Sequence, residues 1–281
     1  MTDTTTSDPP RAQAIPHASV PRVRWGDEGS GFVSDWVYWR SPQLVAIVFS
    51  MPPGASFKVS DDWMPRYDAQ ECQYVLAGEY TIHNPTTGEI RVARAGEAVS
   101  FGRMSWHYGY NFSDVELRVI EWLSFSTDRV AQAATGTRPE RELEMDPALV
   151  GRFPEHRHEG EQRVDLVDQA SSLRAILGSE RQLLVSVLAS TPMLSVAIVE
   201  VPGAHRSDRL CHDSDTLLLI EHGKTHVYVP SQDVWAELGD LDAFFVPAGV
   251  GYHLLNQTER RSRVIITTTG PRLGAATEAL P

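Results

Sequence analysis

Apolar residues recur in short, alternating runs separated by turn signals. Trp36-Val-Tyr-Trp39, Leu44-Val-Ala-Ile-Val-Phe49, Glu71-Cys-Gln-Tyr-Val-Leu76 and Val115-Glu-Leu-Arg-Val-Ile-Glu-Trp-Leu123 lie between Pro52-Pro53-Gly54, Gly78, Gly96 and Gly102. A period of two predicts half-buried strands, and many short strands predict an antiparallel barrel or sandwich. The pattern then repeats. Strand signals return at Leu183–Leu188, Met193–Val201, Thr216–Ile220, His226–Val229, Ala243–Val246 and Val264–Thr268. Pro202-Gly203 echoes Pro53-Gly54, Leu217–Gly223 echoes Cys72–Gly78, and Pro247-Ala-Gly249 with His253 and Asn256 echoes Gly102–Asn111. A repeat of this size predicts a duplicated domain, with units at 21–125 and 181–281. Residues 1–20, rich in Thr, Pro, Ser and Asp, predict a disordered tail. Between the units, 126–180 predicts a partly helical linker. Thr127–Ala134 has helical composition, Asp146-Pro147 reads as an N-cap before a first-turn proline, and Asp165–Leu177 reads as a helix ending at Gly178.

The chemistry concentrates in two segments of the first unit. Glu71 begins a strand that reaches Gly78, and Gln73 falls on the same face two residues later. Gly96 to Asn111 holds a strand, the break at Gly102, and then His107 beside Trp106. An imidazole at a strand mouth can bind a metal or move a proton. The simpler reading is a core histidine bonded to a carbonyl. The spacing Glu71-x6-Gly78 with Gly96-x5-Gly102-x4-His107-x3-Asn111 resembles the two motifs of the cupin superfamily. Gly102 stands where that family has proline, and Met104 where it has glycine. The family's His-x-His falls near Met64-Pro65-Arg66-Tyr67 here, so two usual metal ligands are absent. The resemblance implies an all-β chain of two tandem cupin barrels, a bicupin of the double-stranded β-helix or jelly-roll kind. It implies Glu71 and His107 as catalytic or metal-binding groups; alternation adds Gln73 to them, and Tyr67, Arg66, Trp63 and Trp106 beside them are expected at the mouth as substrate contacts, with Arg66 able to hold a substrate carboxylate if it points inward. Any cofactor it implies is a divalent metal: iron, manganese, zinc or nickel.

The second unit offers a competing set. His212, Asp215 and His253 would make a two-histidine, one-carboxylate site if a local bulge brought them into step. Without a bulge, Arg209, Cys211 and Tyr252 take the ligand positions, because a one-residue slip reverses the face of a strand residue. His156 and His158 imitate a metal motif, but no apolar strand and glycine turn follow, so they read as solvated linker. Cys211 beside His212 reads as an inert thiol rather than a nucleophile. Trp36, Trp39 and Trp122 read as core.

Composition narrows the partners. The 281 residues carry a net charge of −12, which disfavours nucleic acid. Two cysteines, Cys72 and Cys211, give no disulfide framework. No apolar run approaches the roughly 20 residues of a membrane span, and the N-terminus lacks a signal pattern, so a cytoplasmic setting is expected. Three functions follow. The first is a cupin enzyme on a small polar metabolite, with isomerase, epimerase or lyase chemistry in the first barrel. The second is a mononuclear metal dioxygenase, and the third a non-catalytic ligand-binding bicupin. The resemblance also implies a homodimer.

Overall fold

The computed structural model describes residues 11–60, 67–125, 164–168 and 170–270. The described residues form strands and two short 3-10 turns, with no α-helix among them. The first half contains β1 (Gln13–Ile15), β2 (Arg22–Asp27), β3 (Gly31–Arg40), β4 (Leu44–Met51), β5 (Ser56–Phe57), β6 (Ala69–Ala77), β7 (Glu79–His83), β8 (Ile90–Arg94), β9 (Ala98–Phe101), β10 (Tyr108–Tyr110) and β11 (Leu117–Phe125). The second contains β12 (Val164–Val167), β13 (Leu173–Leu177), β14 (Leu183–Ser190), β15 (Leu194–Val201), β16 (His205–Arg206), β17 (Thr216–His222), β18 (Thr225–Val229), β19 (Val234–Leu238), β20 (Ala243–Val246), β21 (His253–Asn256) and β22 (Ser262–Thr269).

Each barrel pairs a seven-stranded sheet with a four-stranded one. The first has orders β12-β9-β6-β11-β4-β3-β2 and β5-β10-β7-β8; the second has β1-β20-β17-β22-β15-β14-β13 and β16-β21-β18-β19. The two barrels therefore share one strand order. Gly78 and Gly223 occupy the same turn, at φ +84 and +88, and a Cβ on Gly78 would come within 3.1 Å of the Glu116 carbonyl. Only glycine meets both demands without strain.

The alternation of side chains sorts residues between two environments. On β6, Val75 points into the first barrel, while Cys72 and Tyr74 point into a core shared with the second barrel. That shared core also takes Trp122, Leu194, Ile198 and Ile265. Trp39 and Trp36 pack against it, and the Trp39 ring stacks on Phe245 at 3.9 Å. Fully burying one such side chain stabilises by about 1.5–3 kcal/mol, so the interface binds the barrels firmly.

Two expectations are corrected. The tail is not disordered through residue 20, because β1 pairs antiparallel with β20 of the second barrel and Ala12 is buried in that barrel's core. The helix at Asp165–Leu177 does not form. Its two ends are β12, which pairs with β9 of the first barrel, and β13, which pairs with β14 of the second. Leu173 and Ile176, three residues apart, imitate a helical stripe, yet both are largely exposed, at 71% and 66%. Edge pairing decides the structure over local spacing. Each barrel thus borrows its last edge strand from across the molecule. The segments 127–134, 146–147 and 156–158 lie outside the described residues.

Candidate active site

Three strands and one turn bring polar groups into the first barrel. Glu71 and Gln73 point inward from β6, as alternation requires. On the neighbouring strand β11, Glu121 sits directly opposite Gln73. His107 enters from the turn before β10, between the ring of Phe101, stacked at 4.5 Å, and the edge of Phe57 at 5.9 Å. His107 Nε2 lies 3.3 Å from Glu71 Oε1. The Gln73 amide donates from Nε2 to Glu71 Oε1 at 2.7 Å and to Glu121 Oε1 at 3.0 Å. One ligand atom from each of Glu71, His107 and Glu121 lies within 4.8 Å of the others, and all three residues are buried.

Burial sets the electrostatics. It pushes the His107 imidazole down to about 4, with the Ser105 backbone opposing, so the ring is neutral near pH 7. Burial holds the Glu71 carboxyl well above the usual carboxylate range, and the negative charge of Glu121 adds to the effect. Across a cavity of about 50 Å³ stands Asp35, flanked by Trp25, Phe49, Phe57 and Tyr67. Its carboxyl is raised to about 7 by burial and then by Glu121. The Tyr67 hydroxyl is raised by burial, then by Glu121, Glu71 and Asp35.

No family model matches the chain, and no curated protein matches it in sequence. Solved structures do match. Oxalate decarboxylase from Bacillus subtilis aligns with a TM-score of 0.66 at 12% identity, over 95% of this chain and 81% of that one. The E. coli protein Ylba aligns at 0.64 and 9%, over 93% and 91%. AerE from Microcystis aeruginosa aligns at 0.60 and 10%, over 89% and 97%. The chain has the bicupin fold. The Bacillus decarboxylase is described with Mn(II) centres.

In this bicupin the two barrels differ in what they point inward. Asn111 Nδ2 donates to the carbonyls of Met51 and Val115, at 3.0 and 2.8 Å, and Ser113 donates back to its side-chain oxygen. Asn256 repeats the arrangement with Val201, Arg260 and Thr258, at 3.1 and 2.7 Å for the two carbonyls. These anchors place Tyr252 where the first barrel has His107. Strand register then matches Glu71 with Thr216, Gln73 with Leu218, Glu121 with Ile266 and Asp35 with Val185. Apart from Thr216, the second barrel fills these places with the apolar cluster of Val185, Leu218, Tyr252 and Ile266.

The bicupin's competing ligands do not converge. His212 Nε2 meets the Tyr252 hydroxyl at 3.0 Å, Asp215 accepts from the Ala248 N–H at 3.0 Å, and His253 Nδ1 faces the Ser207 carbonyl at 3.2 Å. Among the described residues the metal-sized group is Glu71, His107 and Glu121. Of the expected mouth residues, Tyr67 lines the cavity. Trp106 is buried beside His107 but does not line it. Trp63 and Arg66 lie outside the described residues. Motif spacing gives no sign of Glu121 or Asp35. Their signal is a carboxylate on an apolar strand face, Glu121 among Leu117, Val119 and Leu123, and Asp35 beside Val33.

The donor set fits a divalent metal. Two carboxylates and a neutral imidazole are hard-to-intermediate ligands of the kind divalent metals take. No lysine or arginine pairs with Glu71 or Glu121 among the described residues, so a cation or a retained proton must balance them.

Proposed function

We propose that the first barrel is an enzyme active site for a small polar metabolite, with a divalent metal held by Glu71, His107 and Glu121, and that the second barrel is its scaffold. The observation that carries this reading is the buried Glu71–His107–Glu121 group, with no lysine or arginine paired to it among the described residues, matched in the second barrel by Thr216, Tyr252 and Ile266. A bound metal would supply Lewis-acid polarisation of a substrate oxygen or acidify a bound water. The chain's own groups do the rest. Gln73 fixes both carboxylates through one amide. Phe101 and Phe57 fix the plane of the imidazole, and burial keeps its lone pair free of a proton. The aromatic walls exclude water and leave Asp35 and Tyr67 facing the ligand.

A metal-free variant of the reading has one specific support. Gln73 Nε2 already serves both carboxyl groups, and burial, with Glu121 beside it, raises the Glu71 carboxyl well above the usual carboxylate range, which favours its protonated form. Glu71 would then be the general acid and His107 the base, a division set by their opposite environments.

Metal analysis of the purified chain tests the proposal. Stoichiometric metal is expected in the wild type and in His253→Ala, with content lowered about tenfold or more in His107→Ala and Glu121→Gln, as loss of a ligand does. Full metal content in His107→Ala would sink the metal reading. A chain that takes up no metal at all favours the acid–base form, in which His107→Ala lowers turnover by ~10²–10⁴-fold. Loss of turnover in His253→Ala with His107→Ala unaffected would move the site to the second barrel.

A further inference from the structure

The charge inside the first barrel specifies the ligand, on the premise that this barrel is the active site proposed above. Asp35, Glu71 and Glu121 are all buried there. Among the described residues, no lysine or arginine lines the cavity. A shared proton or a divalent ion accounts for the charge of Glu71 and Glu121. Asp35 stands outside that group. It lines the cavity, is only 7% exposed, and its Oδ1 has no hydrogen-bond partner among the described residues. Burying an unpaired carboxylate is costly, and the cost is relieved by whatever brings a positive charge to it.

The walls agree with that sign. Trp25 and Phe57 stand edge to face at 6.0 Å, and Phe49 and Phe57 at 6.1 Å, so ring faces and edges surround the same space. A cation within about 6 Å of an aromatic face is attracted by the ring quadrupole, and the attraction grows when water is excluded. An anion entering the cavity would meet the unpaired Asp35 carboxyl and the negative faces of the rings. We infer that the substrate carries a small cationic nitrogen, a protonated amine, held by Asp35 and the aromatic walls. The cavity of about 50 Å³ holds such a head group, with the remainder of the molecule toward the mouth. Oxalate, the dianion in the name of the decarboxylases, has the wrong charge for this pocket.

Ligand-observed NMR on the full chain at fixed ionic strength tests the inference. The probes are methylammonium and n-propylammonium chloride, n-propanol and sodium propionate. The two ammonium ions should bind, with propanol and propionate at least about tenfold weaker. Asp35→Asn should weaken ammonium binding about tenfold or more, while circular dichroism and metal content stay at the wild-type level. Propionate binding as well as propylammonium, or unchanged ammonium binding in Asp35→Asn, would overturn the inference and leave the functional reading standing. Binding of none of the four probes to the wild type would overturn both. The wild-type comparison decides the sign of charge whether or not the variant folds.

Discussion

Asp35 gives up water, its Oδ1 gains no hydrogen-bond partner among the described residues, and the penalty varies with pH. Its carboxyl rises from about 3.9 in an unfolded chain to about 7 in the fold, which destabilises by up to ~4 kcal/mol once the pH exceeds both values. The sign follows from proton binding. Below about 4 both states hold the proton and nothing is lost; between about 4 and 7 the unfolded state ionises first, so stability falls as pH rises. Asp35→Asn should therefore raise the urea midpoint at pH 8 in the presence of a chelator, and change it little at pH 4. An equal gain at both values would remove ionisation as the cause. The residues around Asp35 also separate what a motif can reveal from what it cannot. Glu71, Gln73 and His107 are legible because spacing and strand alternation fix them. Glu121 and Asp35 belong to no motif, and emerge only when the inward face of β11 and β3 is known. His253 misleads by one position, since Tyr252 faces inward and its neighbour faces out. Met104 marks the reverse case. It stands where the motif has glycine, and its backbone still adopts φ +58.

At the scale of elements, the sheet edges carry information that local sequence hides. The main strands are visible as alternating runs, because each divides its side chains between a barrel interior and the shared core. β12 and β13 are not, because Leu173 and Ile176 fall at helical spacing while the strands themselves are held by a partner's backbone at a sheet edge. β1 shows what such a strand contributes. It pairs Gln13, Ala14 and Ile15 with Phe245, Phe244 and Ala243. The Ala12 N–H donates to Gln232 at 2.8 Å, and the His17 N–H to Asp242 at 2.8 Å. Removing residues 1–16 should lower stability by ~2–4 kcal/mol, the worth of a few net hydrogen bonds and a small buried patch. The bared edge of β20 should also promote self-association. Urea unfolding and light scattering measure the two effects, and a truncated chain with the wild-type midpoint would show the strand to be dispensable.

On the scale of the whole molecule, one backbone plan serves two purposes. The first barrel encloses charge at some expense to stability, and the second replaces the same positions with Thr216, Leu218, Tyr252 and Ile266 and packs solid. Because Trp122, Tyr74 and Val48 share a core with Leu217, Ile198 and Ile265, neither barrel can open without exposing the other's surface. Unfolding should therefore be a single transition. The seven tryptophans test this, since only Trp235 lies in the second half: fluorescence reports mainly the first barrel and far-UV circular dichroism reports both. Coincident urea curves are expected, and a fluorescence midpoint well separated from the dichroism midpoint would mean two independent units. The borrowed edge strands carry this mutual dependence further. β1 leaves the first half to complete the second barrel, and β12 leaves the second half to complete the first, the reciprocal exchange that a pair of separate single-barrel chains makes when they swap ends. Here one covalent connection joins the exchanging partners, so each meets the other at the effective concentration of a tethered pair rather than at its bulk concentration. Dilution, which would dissociate a swapped pair of free chains, leaves both barrels of this protein closed.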